Sequence, residues 1–147
     1  MKKKKPTAAQ KRAMRTSDEQ LFTEEDEELI EAWVRRYELM DKIGKKSEEA
    51  KGLWWAYEKL DGICRNTPEH TLKLINKILA STQNEFVLAN LAAGPLEDLI
   101  GRHEEKVIDE VETLARQNPK FRSLLQGVWQ CGSKEIWSRV LKASDRT

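Results

Sequence analysis

Apolar residues recur along this chain every three or four positions. Leu29, Ile30, Trp33, Val34, Tyr37 and Met40 fall on one face of a helix predicted from about Glu24 to Ile43. Thr23 and Asp26 stand three apart at its start and predict a capping box, with Asp in place of the usual Glu. Acids crowd its first turns and Arg35, Arg36 and Lys42 come later, as the helix dipole favours. Gly44 predicts its end. Ser47 predicts the cap of a second helix reaching about Cys64, with Leu53, Tyr57, Leu60 and Cys64 as its stripe. Thr67-Pro68 reads as a cap followed by a proline start, and Leu72, Ile75, Ile78 and Leu79 line the third helix.

Residues 87–100 read as a helix, a glycine stop, a proline restart and a second short helix. Gly94 suits the left-handed conformation that ends a helix, and Pro95 suits the first position of the next. Gly94, Pro95, Leu96 and Leu99 therefore predict an angled helix–helix corner, and Ala89, Ala92 and Ala93 leave room for a close neighbour. A further helix is expected from Glu104 to Gln117. Asn118-Pro119 repeats the cap-plus-proline start, and Ser133 caps a last helix carrying Ile136, Trp137, Val140 and Leu141.

No stretch alternates in twos for long, so no sheet is expected. The pattern predicts an all-α fold of seven or eight short helices in antiparallel pairs. Either a helical bundle or a short right-handed HEAT-like repeat stack fits. The two proline starts, 51 residues apart, hint at the stack. The organisation expected is a disordered basic tail over 1–16, one helical domain over 17–143 and a frayed end over 144–147.

Charge changes this picture more than size does. A chain of 147 residues makes one domain most simply, and can bury roughly 68–70% of its unfolded surface. The net charge of +1 hides a segregation. Lys2, Lys3, Lys4, Lys5, Lys11, Arg12 and Arg15 occupy residues 1–15 with no acid among them. Residues 16–34 carry Asp18, Glu19, Glu24, Glu25, Asp26, Glu27, Glu28 and Glu31 with no base. Cys64 and Cys131 stand alone in apolar contexts read as helical, which predicts buried thiols in a reducing cytoplasm. No apolar run approaches the 18 residues a membrane helix needs, and no apolar core follows the basic start as in a secretory signal. A cytoplasmic protein follows by elimination.

Candidate chemistry is thin. His70 and His103 are the only histidines, and neither His-x-x-x-His nor Cys-x-x-Cys occurs. Glu97 and Asp98 could meet Asp109 or Glu112 across a helix interface, as a carboxylate pair for acid–base work or a divalent ion. First-turn acids stabilising a helix start explain them more simply. No catalytic, cofactor-binding or metal-binding residue is therefore assigned, and no cofactor. Trp33, Trp129 and Trp137 are expected in the core. Trp54 and Trp55 project about 100° apart on a helix, one inward and one partly exposed. An exposed tryptophan is a frequent interface anchor. The acidic face Glu24, Glu25, Glu27 and Glu28 could dock a basic partner. The seven basic tail residues could touch nucleic-acid phosphates in a salt-sensitive way, though the tail lacks aromatic residues that stack on bases.

Three segments carry a family resemblance. They are Leu88-Ala89-Asn90-Leu91-Ala92-Ala93-Gly94-Pro95-Leu96-Glu97-Asp98-Leu99-Ile100, the run Pro119, Phe121, Arg122, Leu124 or Leu125, Gly127, Val128 and Trp129, and the upstream Trp54-Trp55-Ala56-Tyr57-Glu58-x-Leu60. Over about residues 53–140 the chain resembles an uncharacterised bacterial family of all-helical domains. The resemblance implies the helical fold and a bacterial or phage-related cytoplasmic setting, and it implies no activity. The function expected is a non-enzymatic module that binds one protein partner. An immunity protein, an antitoxin or a phage-defence inhibitor would fit such a chain by association alone. The alternative is a nucleic-acid accessory protein acting through the basic tail, and an enzyme or metal site at the interface carboxylates comes third.

Overall fold

The computed structural model describes residues 22–146, and among these every regular element is helical. The elements are α1 (Glu24–Ile43), α2 (Glu48–Gly52), α3 (Trp54–Asn66), α4 (Pro68–Ser81), α5 (Glu85–Leu91), α6 (Glu97–His103), α7 (Ile108–Gln117), α8 (Pro119–Leu125) and α9 (Lys134–Ala143). The fold is an all-α bundle. α1 packs on α2, α3, α4 and α5, while α7 packs on α8 and α9. α4 joins the two groups by touching α6 and α8. Pro68 and Pro119 each open their helix, and α4 and α8 lie against one another.

One buried cluster runs from Phe22 to Val140. Trp33 is at the heart of the α1 side, its ring 4.5 Å from that of Tyr37. The predicted stripes fill this core: Leu29, Leu60, Leu72, Ile75, Ile78 and Leu79 are all buried. The caps expected at Thr23, Ser47 and Ser133 form, each side chain accepting from a backbone N–H of the first turn. Thr67 makes no such bond. Its carbonyl instead accepts from the Thr71 hydroxyl at 2.9 Å.

The expected corner at Gly94 is absent. Helical backbone continues from α5 into α6 through one wide π-helical turn, Ala92–Leu96. Gly94 is not left-handed, unlike Gly44 and Gly132. Pro95 has no N–H for an α-helical bond, and in α geometry its ring would press on the Leu91 carbonyl. The wide turn passes over that gap, and Glu97 donates to Ala92 five residues back. The same turn keeps one face buried. Leu91 and Leu96 would lie about 140° apart on a regular α-helix, and the extra residue in the turn brings them back together. Leu91, Ala92, Leu96, Leu99 and Ile100 are all buried. A Cβ at Gly127 would sit 2.8 Å from that of Ala92, so only glycine lets the end of α8 approach this turn.

Three other expectations are corrected. The helix from Ser47 breaks at Leu53 into α2 and α3. The helix expected from Glu104 begins as a tight 3-10 turn, Glu104–Lys106, and restarts at Ile108. There Glu104 adopts a φ of 43°, with its carboxylate accepting from the Ser133 N–H at 2.6 Å. The C-terminal end does not fray up to Arg146. Ser144 is fully buried, and the Arg146 guanidinium donates to the carbonyls of Leu125, Gln126 and Val128.

Candidate docking groove on the first helix

Helix α1 is held in place at its start. Asp26 accepts from the Thr23 N–H, and Thr23 accepts from the Asp26 N–H. The other carboxylate oxygen of Asp26 lies 3.1 Å from His70 Nε2 on α4. Burial pushes the Asp26 carboxyl up, but its bonds with His70 and Thr23 outweigh burial and hold it below its ordinary 3.8. The cap is thus tied to a second helix, an arrangement that local spacing could not reveal, because His70 is 44 residues away.

With its apolar stripe turned inward, α1 presents a second face that is acidic and partly apolar. Glu28, Glu31 and Glu38 are exposed there, with Glu27 and Val34 half-buried between them. This face borders an open groove of about 710 Å³. Ile30, Val34, Leu53 and Trp55 supply its apolar lining, and Lys77 and Ser81 of α4 close one side. Of the two bases that line it, Arg35 pairs with Glu49 at 3.7 Å, and Lys77 lies 5.8 Å from the Phe22 ring centre. The groove is therefore rimmed mainly by carboxylates over an apolar floor.

Trp54 and Trp55 diverge as the helical geometry requires, yet neither is in the core: they are 45% and 42% exposed. Trp54 is engaged internally. It stacks on Tyr57 at 4.5 Å, and the Arg36 guanidinium lies 4.9 Å from its ring and 5.0 Å from that of Tyr37. One Arg36 nitrogen is buried without an oxygen partner, and these π faces stand in for it. Trp55 instead lines the groove. The structure thus brings Trp55 together with Glu27 and Glu28. Glu24 and Glu25 lie outside the groove, and Glu25 pairs with Lys59 at 3.9 Å.

The remaining candidates separate. Trp129, expected in the core, is 77% exposed on the loop before α9, where its backbone N–H donates to the Glu97 carboxylate at 2.8 Å. Trp137 is half-buried, with the Arg146 guanidinium 5.1 Å from its ring. Glu97 and Asp98 do not meet Asp109 or Glu112. Those two carboxylates bind Arg139, at 2.6 Å and 3.0 Å. The Arg139 bond holds the Glu112 carboxyl low, while burial holds that of Asp98 high. No group of three or more His, Cys, Asp or Glu placed to hold a metal ion occurs among the described residues. His103, at the end of α6, donates from Nε2 to the Cys64 carbonyl, a structural contact. Cys64 is buried, but Cys131 is half-buried in a loop rather than a helix. Burial pushes both thiols up to about 11, which leaves them protonated and inert near neutral pH.

The tail residues Lys2, Lys3, Lys4, Lys5, Lys11, Arg12 and Arg15 lie outside the described residues. Among the described residues no helix is long and apolar enough to cross a membrane. The model of a family of unknown function (DUF6869) matches residues 43–147. No curated protein and no solved structure matches the chain.

Proposed function

The chain belongs to that family of unknown function, and from this premise we propose that it is a non-enzymatic binding module whose groove beside α1 takes a basic, amphipathic segment of a protein partner. The observation that carries this reading is the placement of Trp55 beside the acidic face of α1, over Ile30, Val34 and Leu53. An aromatic ring at the edge of an apolar floor is a typical anchor for a partner side chain. The carboxylate rim favours cationic partners and speeds their encounter. Much of α1 precedes the family match, which starts at residue 43, while Leu53 and Trp55 fall inside it. The binding surface would then combine a family element with one supplied by the preceding helix.

The test is affinity capture from the native host with the wild-type chain and two variants, Trp55→Ala and Glu28→Lys/Glu31→Lys. The expected result is one stoichiometric protein that the wild type retains and both variants lose, Trp55→Ala weakening it about tenfold or more. A partner held equally by all three chains would refute the groove. Nucleic acid eluting steeply with salt, indifferent to both variants, would favour the alternative reading through the basic tail.

A further inference from the structure

Resting on that reading of the groove, we propose that the chain carries its own first occupant: the basic segment 2–15 seats in the groove in cis and must be displaced by the external partner. Charge complementarity supports this. The segment carries seven bases and no acid, and the groove offers the exposed carboxylates of Glu28, Glu31 and Glu38. The point of attachment supports it too. The segment reaches the folded body through Phe22, which is buried just before α1, and Lys77, close to the Phe22 ring, also lines the groove. The chain therefore enters beside the groove's rim.

Reach is sufficient. The seven steps from Arg15 to Phe22 span up to about 23 Å when extended. The rise along α1 from Glu24 to Glu38 is about 21 Å. With the two residues from Phe22 to Glu24 added, the far end lies up to about 28 Å away. Arg12, ten steps from Phe22 and about 33 Å in reach, can thus span the groove, Arg15 its nearer part, and the lysines before Arg12 have more slack. So short a tether gives an effective concentration on the order of millimolar, enough to populate contacts too weak to form between separate molecules. The contacts on the rim are exposed ion pairs, so salt releases the segment.

The test is zero-length carbodiimide coupling of the full chain, with amide links mapped by mass spectrometry in the monomeric fraction. The Lys51–Glu48 pair, 3.2 Å apart, is the internal positive control. Links from Lys2–Lys5 and Lys11 should concentrate on Glu28, Glu31 and Glu38, and should fall severalfold at high salt. Links spread evenly over exposed acids on other elements, such as Glu85, Glu110 and Glu135, would overturn the proposal. So would their absence while the control pair couples. If the links fail but Trp55→Ala still loses its captured partner, only the cis occupant is refuted. If they form but both groove variants keep the partner, the partner-binding reading falls instead.

Discussion

Replacing Arg146 with alanine asks whether the last turn belongs to the folded body. Its guanidinium donates to three carbonyls, at 3.1 Å to Leu125, 3.2 Å to Gln126 and 2.9 Å to Val128. Its Nε donates to the Ser144 hydroxyl at 2.7 Å, and its guanidinium carbon lies 5.1 Å from the Trp137 ring centre. Burial pulls the Arg146 pKa down, a sign that the charge is partly desolvated. Bonds to three partly hydrated carbonyls contribute roughly 0.5–1 kcal/mol each. The ring contact adds about 0.5–1 kcal/mol. Against this, alanine recovers about 1.5–2 kcal/mol of side-chain entropy. The expected net loss is about 1.5 kcal/mol, read as a lower urea midpoint at unchanged slope and a Tm lower by roughly 5 °C. Arg146→Lys keeps the charge but not the planar fork, and should recover less than half of the loss. Because Arg146 also holds the Val128 carbonyl, amide exchange should quicken around Trp129 in the alanine variant. A loss under about 0.5 kcal/mol, the value for an unconstrained surface residue, would refute the docked end.

Gly94→Ala should leave stability nearly unchanged. Gly94 is helical and a Cβ there meets nothing within 4 Å apart from its chain neighbours, but the gain of about 0.5–1 kcal/mol from replacing a helical glycine is offset by the clash of that Cβ with the ring of Pro95, which follows it. A loss of more than about 1–2 kcal/mol in thermal unfolding would instead indicate the left-handed helix stop. Asp26→Asn tests the tie between α1 and α4. The folded carboxyl lies below 3.8, so its contribution is present above that pH and is lost as pH falls through the folded value. The stability gap between wild type and Asp26→Asn should therefore be widest above about pH 4 and close at lower pH. A gap that stays constant through acid titration would rule out a role for the ionised Asp26 carboxylate.

Local chemistry made much of the fold legible. The capping box at Thr23 and Asp26 needs only two residues three apart. The stripe Leu29, Ile30, Trp33 and Tyr37 needs only the helical repeat. Gly94-Pro95 shows where such reading fails. A glycine before a proline suits a helix break, but it equally suits a π turn when the face before it and the face after it must both be buried. That demand comes from the neighbours, Gly127 and α8 among them, and no local pattern states it.

The candidate site divides along the same line. The sequence by itself determined helices such as α1 and α4, the acidic face of α1 and the divergence of Trp54 from Trp55, since each follows from spacing within one element. Tertiary structure alone decided which tryptophan lines a groove, because Arg36, a residue of another helix, engages Trp54 and leaves Trp55 to border the groove. It also decided that the backbone at Trp129 is tied down and Arg146 is docked, since Glu97 and the carbonyls at the end of α8 reach them across 32 and 21 residues of chain. A repeat along a helix records only which face is apolar. What covers that face, and which polar groups meet across the gap, depends on residues brought together only when the chain has folded.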